Sequence, residues 1–492
     1  MEFETATEPA TPGDRTSASE RRALSRGEAM LLLAALGAVV AVNVPELASD
    51  PWPFRPPPAE PRGPLGAVVR ASGGEWGPGF PRAAATVAGL LVALAAALAL
   101  ATGGLRRSLA VPVTAGVVAL LVLPGVFLQA GLREATAPWF HVNDSTYQIE
   151  IAGDMLRGGE NPYGADYTRS GLERFYSLDG SVTRATRSSQ VALRHLAYFP
   201  ATPLTAAAWG LLPGPFDDYR FLVALATLAL LPAALLFPGL PGPRLALGAA
   251  LAASPLAVRA AWFGIADAPA LLAFVLAFAL LARRRFATAA AALALAVLLK
   301  QFAVVAVPFF VAVLVRRAAR PDRRRAAVAF GGVLAVGFLP FLVAGASALI
   351  ADTIAYGGAT YRIIGYGLAG ILVELGAIRD RFDPYPFALL ALFVWLPLTA
   401  LLVWRQLRSP VAWTALAGFA VSIFVLFFIG RVFQTSYLVW PLAASIAGGL
   451  LALGERGPGA RSEAGSDEKT RDSAPLAASG EHAHAGAARG RP

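Results

Sequence analysis

Four ionisable residues stand where a strongly apolar chain has little structural need of them: Asp144, Asp267, Lys300 and Arg431. Asp144 lies in WFHVNDSTYQIEIAGDMLRGGENPYG, a few residues past a long apolar run. A carboxylate there can act as a general base, or it can cap the helix that follows. Both hold together if one oxygen caps and the other faces substrate. Asp267 falls between two apolar runs in WFGIADAPALLAF, and Lys300 interrupts ALAVLLKQFAVVAVPFF. An ammonium near a bilayer is costly unless it snorkels to water or meets an anion such as phosphate. Arg431, in FFIGRVFQTSYLVWPLA, suits bidentate contact with an anion. His195 and Tyr198 in LRHLAYFP join the candidate binding residues, as does Tyr437, although aromatic residues are common at the membrane edge. A carboxylate that takes a proton, with cations that hold a departing phosphate, is what sugar transfer from a lipid-linked donor requires.

The elements that must position these residues follow from composition. The chain has 492 residues, 56% of them hydrophobic and 15% charged, with a mean hydropathy of +0.57. Such a chain belongs in a bilayer. Runs such as TVAGLLVALAAALALATGG are apolar all round and rich in small residues, which predicts helices packed closely, with no alternating barrel pattern. The net charge of +10 comes largely from arginines clustered beside apolar runs. They read as topology signals, and no nucleic-acid partner is expected. The absence of cysteine excludes disulfides, thiolate metal sites and a Cys nucleophile.

Twelve spans are expected, near 29–48, 82–101, 109–131, 219–238, 245–262, 266–282, 286–299, 302–315, 326–345, 386–404, 411–429 and 434–453, with a re-entrant element at 198–214. With both termini cytoplasmic, the arginine clusters at 106–107, 283–285 and 316–325 fall inside, and the long loops 49–81, 132–197 and 346–385 fall outside. Any active site then faces outward. Residues 145–157 read as a short amphipathic helix on the membrane surface, with Tyr147, Ile151 and Met155 on one face. Tails 1–27 and 454–492 read as disordered and cytoplasmic, and 28–108 as two N-terminal helices joined by a Pro-rich outer loop.

The order of features over roughly 109–450 resembles a known family. An acid follows a span, a surface helix leads to NPYG, and then come AYFPATPL, ASPLAVRAAWFGIADAPALLAF ahead of RRR, LLKQFAVVAVPFF and SYLVWPL. This is similar to the GT-C superfamily of integral membrane glycosyltransferases, in particular the bacterial polyprenol-phosphate-mannose-dependent type of glycosyltransferase family 87. The resemblance implies an all-α polytopic GT-C-like module at 109–453 in the plasma membrane. It implies inverting transfer of a hexose, mannose by preference, from a polyprenyl-phosphate sugar to a lipid or glycan acceptor. Asp144 is then the general base, and Asp267 and Lys300 fall in the second and third outer loops. No cofactor and no metal is expected, because a monophosphate donor has no pyrophosphate to neutralise. A transporter or lipid flippase, and a surface-polysaccharide polymerase or ligase, are the alternatives.

Overall fold

The computed structural model describes residues 24–48, 66, 79–103, 107–175, 193–360 and 363–455. Most of both tails, most of the Pro-rich loop at 49–81 and residues 176–192 of the large loop lie outside the described residues. The described chain is mostly helical, with one two-stranded parallel pairing, β1 (Ile364–Gly365) with β2 (Val432–Phe433).

Helices α1 (Arg26–Ala48), α2 (Gly79–Gly103) and α3 (Arg107–Glu134) lead into the short α4 (Asp144–Arg157) and α5 (Ala201–Trp209). Then follow α6 (Arg220–Leu235), α7 (Pro241–Ala253), α8 (Pro255–Phe263), α9 (Ala268–Ala282), α10 (Phe286–Leu299), α11 (Val307–Arg317) and α12 (Arg320–Ile350). After the small α13 (Leu368–Glu374), the helices α14 (Phe387–Gln406), α15 (Ala412–Ile429) and α16 (Val439–Glu455) complete the bundle.

Among the described residues six helices are long and apolar enough to cross a membrane, or seven if α7 and α8, bent by 44°, count as one. The bend falls at Ser254, which is extended and caps α8 by accepting the Ala257 N–H, while Pro255 opens the new helix. Helices α6, α9 and α10 are equally apolar but shorter, at 14 to 16 residues. The expected 302–315 span is broken, with a 3-10 turn at Gln301–Ala306 and then the 11 residues of α11. In the 198–214 segment only nine residues are helical, about 14 Å of rise, too short to cross about 30 Å of hydrocarbon.

The helix ends sort into two groups. At one end, arginines cap orphan C-terminal carbonyls, Arg244 donating to Leu235 O at 2.9 Å, Arg283 to Leu236 O and Arg316 to Leu407 O at 3.1 Å, while Arg317 holds the linker carbonyl of Pro410 at 3.1 Å. The start of α1 lies at the same end. Ser25 and Glu28 form a reciprocal capping box, and Glu28 also accepts the Gly242 N–H at 3.1 Å. The opposite end holds α4, α5 and the β1–β2 pairing.

One expectation is corrected. Instead of lying on a lipid surface, α4 is wrapped by protein: Thr146, Tyr147, Gln148, Ile149, Ala152 and Gly153 are buried, and Gly153 packs against the backbone of α5. Its apolar residues are spent on protein contacts, with Ile151, Met155 and Leu156 against the loop cluster around Tyr163 and Tyr167.

Four charges fasten α4 to the bundle. Arg133 at the end of α3 meets Glu150 at 2.5 Å and Asp218 at 3.0 Å, and the wholly buried Arg220 lies 3.2 Å from Asp218. Burial pushes the Glu150 carboxyl above its ordinary range, against the pull of Arg133. Removing one member of such a group strands its partners. Arg133→Leu should cost about 3–5 kcal/mol, read as a lower melting temperature in detergent. Breaking the exposed Arg381–Glu374 pair with Glu374→Gln should cost less than about 1 kcal/mol.

Candidate functional site

Helices α9 and α10 form a hairpin whose turn, Arg283 to Arg285, lies at the arginine-capped end. Its arms are 15 and 14 residues long, about 22 Å each, so the residues just beyond their far ends must meet. Those residues are Asp267 and Lys300. Their carboxylate and ammonium lie 3.4 Å apart, on residues only 4% and 7% exposed. The indole N–H of Trp440 donates to the same carboxylate oxygen at 3.2 Å. Lys300 is extended, and it breaks the chain between α10 and the following 3-10 turn. Its ammonium sits 4.7 Å from the Tyr198 ring centroid and 5.2 Å from that of Phe302. Phe302 in turn packs edge-on against Tyr437 at 4.9 Å. Four candidates placed far apart in sequence, Tyr198, Asp267, Lys300 and Tyr437, therefore share one cluster.

The segment 195–198 ties this cluster to the rest of the end. Gln148 of α4 donates to His195 O at 2.9 Å, Gln301 donates to Ala197 O at 3.1 Å, and the Tyr163 hydroxyl donates to Tyr198 O at 2.8 Å. Thr202 closes the arrangement by donating to Leu299 O at 2.6 Å. The His195 side chain meets a further segment, with its Nδ1 2.7 Å from Asp352 and its ring stacked on Tyr356 at 4.9 Å.

Asp144 opens α4 one turn before Gln148, on the same helical face. The capping expectation shifts by one residue: Asn143 is the N-cap, accepting the Ser145 N–H at 3.0 Å. One Asp144 oxygen accepts that N–H as well, at 2.8 Å. The Asn143 N–H donates to Phe263 O at 2.7 Å, which presses the start of α4 against the 263–267 turn. Gly264 carries that turn in the left-handed region, at φ 75°, and a Cβ there would stand 2.9 Å from Thr146 Oγ1.

Arg431 is placed against the loop that carries Asp383 and beside the β1–β2 pairing. It is buried at 6% exposure and donates to Asp383 O at 3.2 Å, while its own carbonyl accepts the Ile364 N–H at 2.9 Å. Its position extends the β1–β2 pairing and fixes the 363–386 segment. Beside that pairing lies a cavity of about 760 Å³, lined by Arg259, Ile265, Tyr366, Arg381 and Gln434 among others. Both it and Asp144 flank the 263–267 turn. Among the described residues no three carboxylate or imidazole groups converge as metal ligands would.

Asp352, Gln148 and Gln301 are the site residues that sequence reasoning missed. Asp352 follows the 326–345 apolar run much as Asp144 follows 109–131, so the rule that singled out Asp144 could have found it.

Comparisons with protein-family models, with characterised proteins and with solved structures returned no match. Three substitutions test the geometry directly. Lys300→Met should strand a buried carboxylate and lower the melting temperature, by about 3–5 kcal/mol of stability. Adding Asp267→Leu should recover most of that loss, because the charges leave together. Gly264→Ala should cost about 1 kcal/mol or more, since φ is positive and Thr146 crowds the new methyl group.

Proposed function

We propose that the protein is an inverting glycosyltransferase of GT-C type, which moves a hexose, mannose by preference, from a polyprenyl-phosphate donor to a hydroxyl of a lipid or glycan acceptor. The observation that carries this reading is the 195–198 segment. It strings a histidine paired with a carboxylate and an ammonium seated on a tyrosine ring along one line, beside the helix that Asp144 opens. Acid, base and cation at one end of an apolar bundle suit proton removal from a hydroxyl and departure of a phosphate.

In this reading Asp144 takes the acceptor proton. Lys300, Tyr198, Tyr437 and His195 surround the donor phosphate and sugar, Asp267 sets the Lys300 ammonium, and Arg431 steadies the neighbouring loop. The chain crosses the plasma membrane about twelve times, with 198–214 re-entrant, both termini cytoplasmic and the site exoplasmic. The arginine-capped end then faces the cytoplasm, in keeping with the positive-inside trend. No soluble nucleotide-binding domain is needed, because the lipid phosphate anchors the donor in the bilayer.

A transporter is the second reading, favoured by the bent α7–α8 pair and by the chain break at Lys300, since transporters place broken helices and charges at their substrate sites. The two readings part on chemistry. Membranes carrying the wild type should transfer labelled mannose from polyprenyl-phosphate mannose to endogenous lipid. Asp144→Asn should lower that transfer by about 10²–10⁴-fold with the protein still folded and inserted. Equal transfer by both proteins would remove Asp144 from the base role, and label that crosses the membrane still attached to its lipid would favour transport.

A further inference from the structure

Asp352 is a buried carboxylate with partners on both oxygens. Its Oδ2 accepts the backbone N–H groups of Gly164 at 2.8 Å and Leu196 at 3.3 Å, and its Oδ1 faces His195 Nδ1 at 2.7 Å. At 1% exposure it cannot itself reach a substrate. An ionised carboxylate only accepts, so the proton between the two groups sits on Nδ1, and Nε2 is the nitrogen left for chemistry. The His195 side chain is 28% exposed, with the Tyr356 ring stacked on one face and its backbone carbonyl held by Gln148. A buried carboxylate behind a half-open imidazole orients the ring and stabilises its protonated form during proton transfer. Three residues further on, the Tyr198 ring carries the Lys300 ammonium, so an imidazole and an ammonium both attend the 195–198 segment. An anionic oxygen is the partner those donors suit.

We propose that His195 is the proton donor to the phosphate oxygen that leaves the transferred sugar, with Asp352 as its positioning residue. This deepens the transferase reading and rests on it. In the step, the acceptor oxygen forms its bond to the anomeric carbon as its proton passes to Asp144. The bond from that carbon to the phosphate oxygen breaks, and its electron pair stays on the oxygen. That oxygen takes the Nε2 proton of the His195 imidazolium, which becomes the neutral ring with its Nδ1 proton still on the Asp352 hydrogen bond. The lipid phosphate leaves as the monoanion, and Asp144 and His195 return to their starting states by exchange with water, one losing a proton and the other gaining one.

The test compares two lipid donors in the purified full-length protein: the polyprenyl phosphate sugar, and its difluoromethylene-phosphonate analogue, whose departing oxyanion is the weaker base and needs a proton less. His195→Gln should lower turnover from the phosphate donor by about 10²-fold with little change in KM, and lower turnover from the analogue much less. Asp352→Asn should show a smaller loss with the same dependence on the donor, which a merely structural role would not produce. Asp144→Asn should lose equally on both. Melting curves in detergent show that each variant is folded, and the half-exposed His195 carries the result if the buried Asp352 variant is not. An equal loss on both donors, or no loss, for His195→Gln overturns the proposal and leaves the transferase reading standing. No transfer from either donor by the wild type overturns both.

Discussion

An ammonium just past the end of a buried apolar helix has few places to go, and the end of the bundle opposite the arginine caps is organised by where Lys300 goes. Its nearest anion is Asp267, brought opposite by two helices of nearly equal length. The pair is buried, so the Coulomb attraction has to offset desolvation, and the Trp440 N–H and two aromatic faces help it do so. Fixing Lys300 also fixes the chain on either side of it. Gln301, immediately after, holds the Ala197 carbonyl, and the ammonium itself holds the Tyr198 ring. The 195–198 segment, which has no regular secondary structure, is in this way built into the bundle from several directions.

The two ends of the bundle divide the labour of the charged residues. Arginines at one end satisfy helix carbonyls that would otherwise be left without donors. At the other end charges of both signs are buried, bonded to named partners and held by short helices and turns. The Arg133, Glu150, Asp218 and Arg220 group anchors the far side of α4, while the start of α4 is pinned to the 263–267 turn. Asp144 is placed by both, from a helix too short to be stable alone.

Much of this was legible in the residues. The long apolar runs became helices, and Lys300 and Asp267 stood out singly as charges inside such runs. That they face one another followed from arm lengths around the triple arginine, an arithmetic the sequence offers but residue types do not prompt. The exchange of roles between Asn143 and Asp144 was hidden because either side chain can cap, and only the backbone geometry decides. Reading α4 as a surface helix failed because an apolar face does not say whether lipid or protein will cover it. Arg431 drew notice for its charge, yet its observed contacts are with a loop carbonyl and the strand pairing. Asp352 repeats the setting of Asp144, an acid beyond an apolar run, but its partner His195 is 157 residues away in the chain, so no local pattern links the two.

The central claim is group transfer from a lipid phosphate at the outer end of the bundle. It is met most directly by purified protein in proteoliposomes, supplied with polyprenyl-phosphate mannose and a lipid acceptor, with the anomeric configuration of the product read by NMR. The account predicts a new glycoside whose configuration is inverted from that of the donor. Donor that is moved between leaflets with its sugar intact, and no glycoside formed, would contradict it.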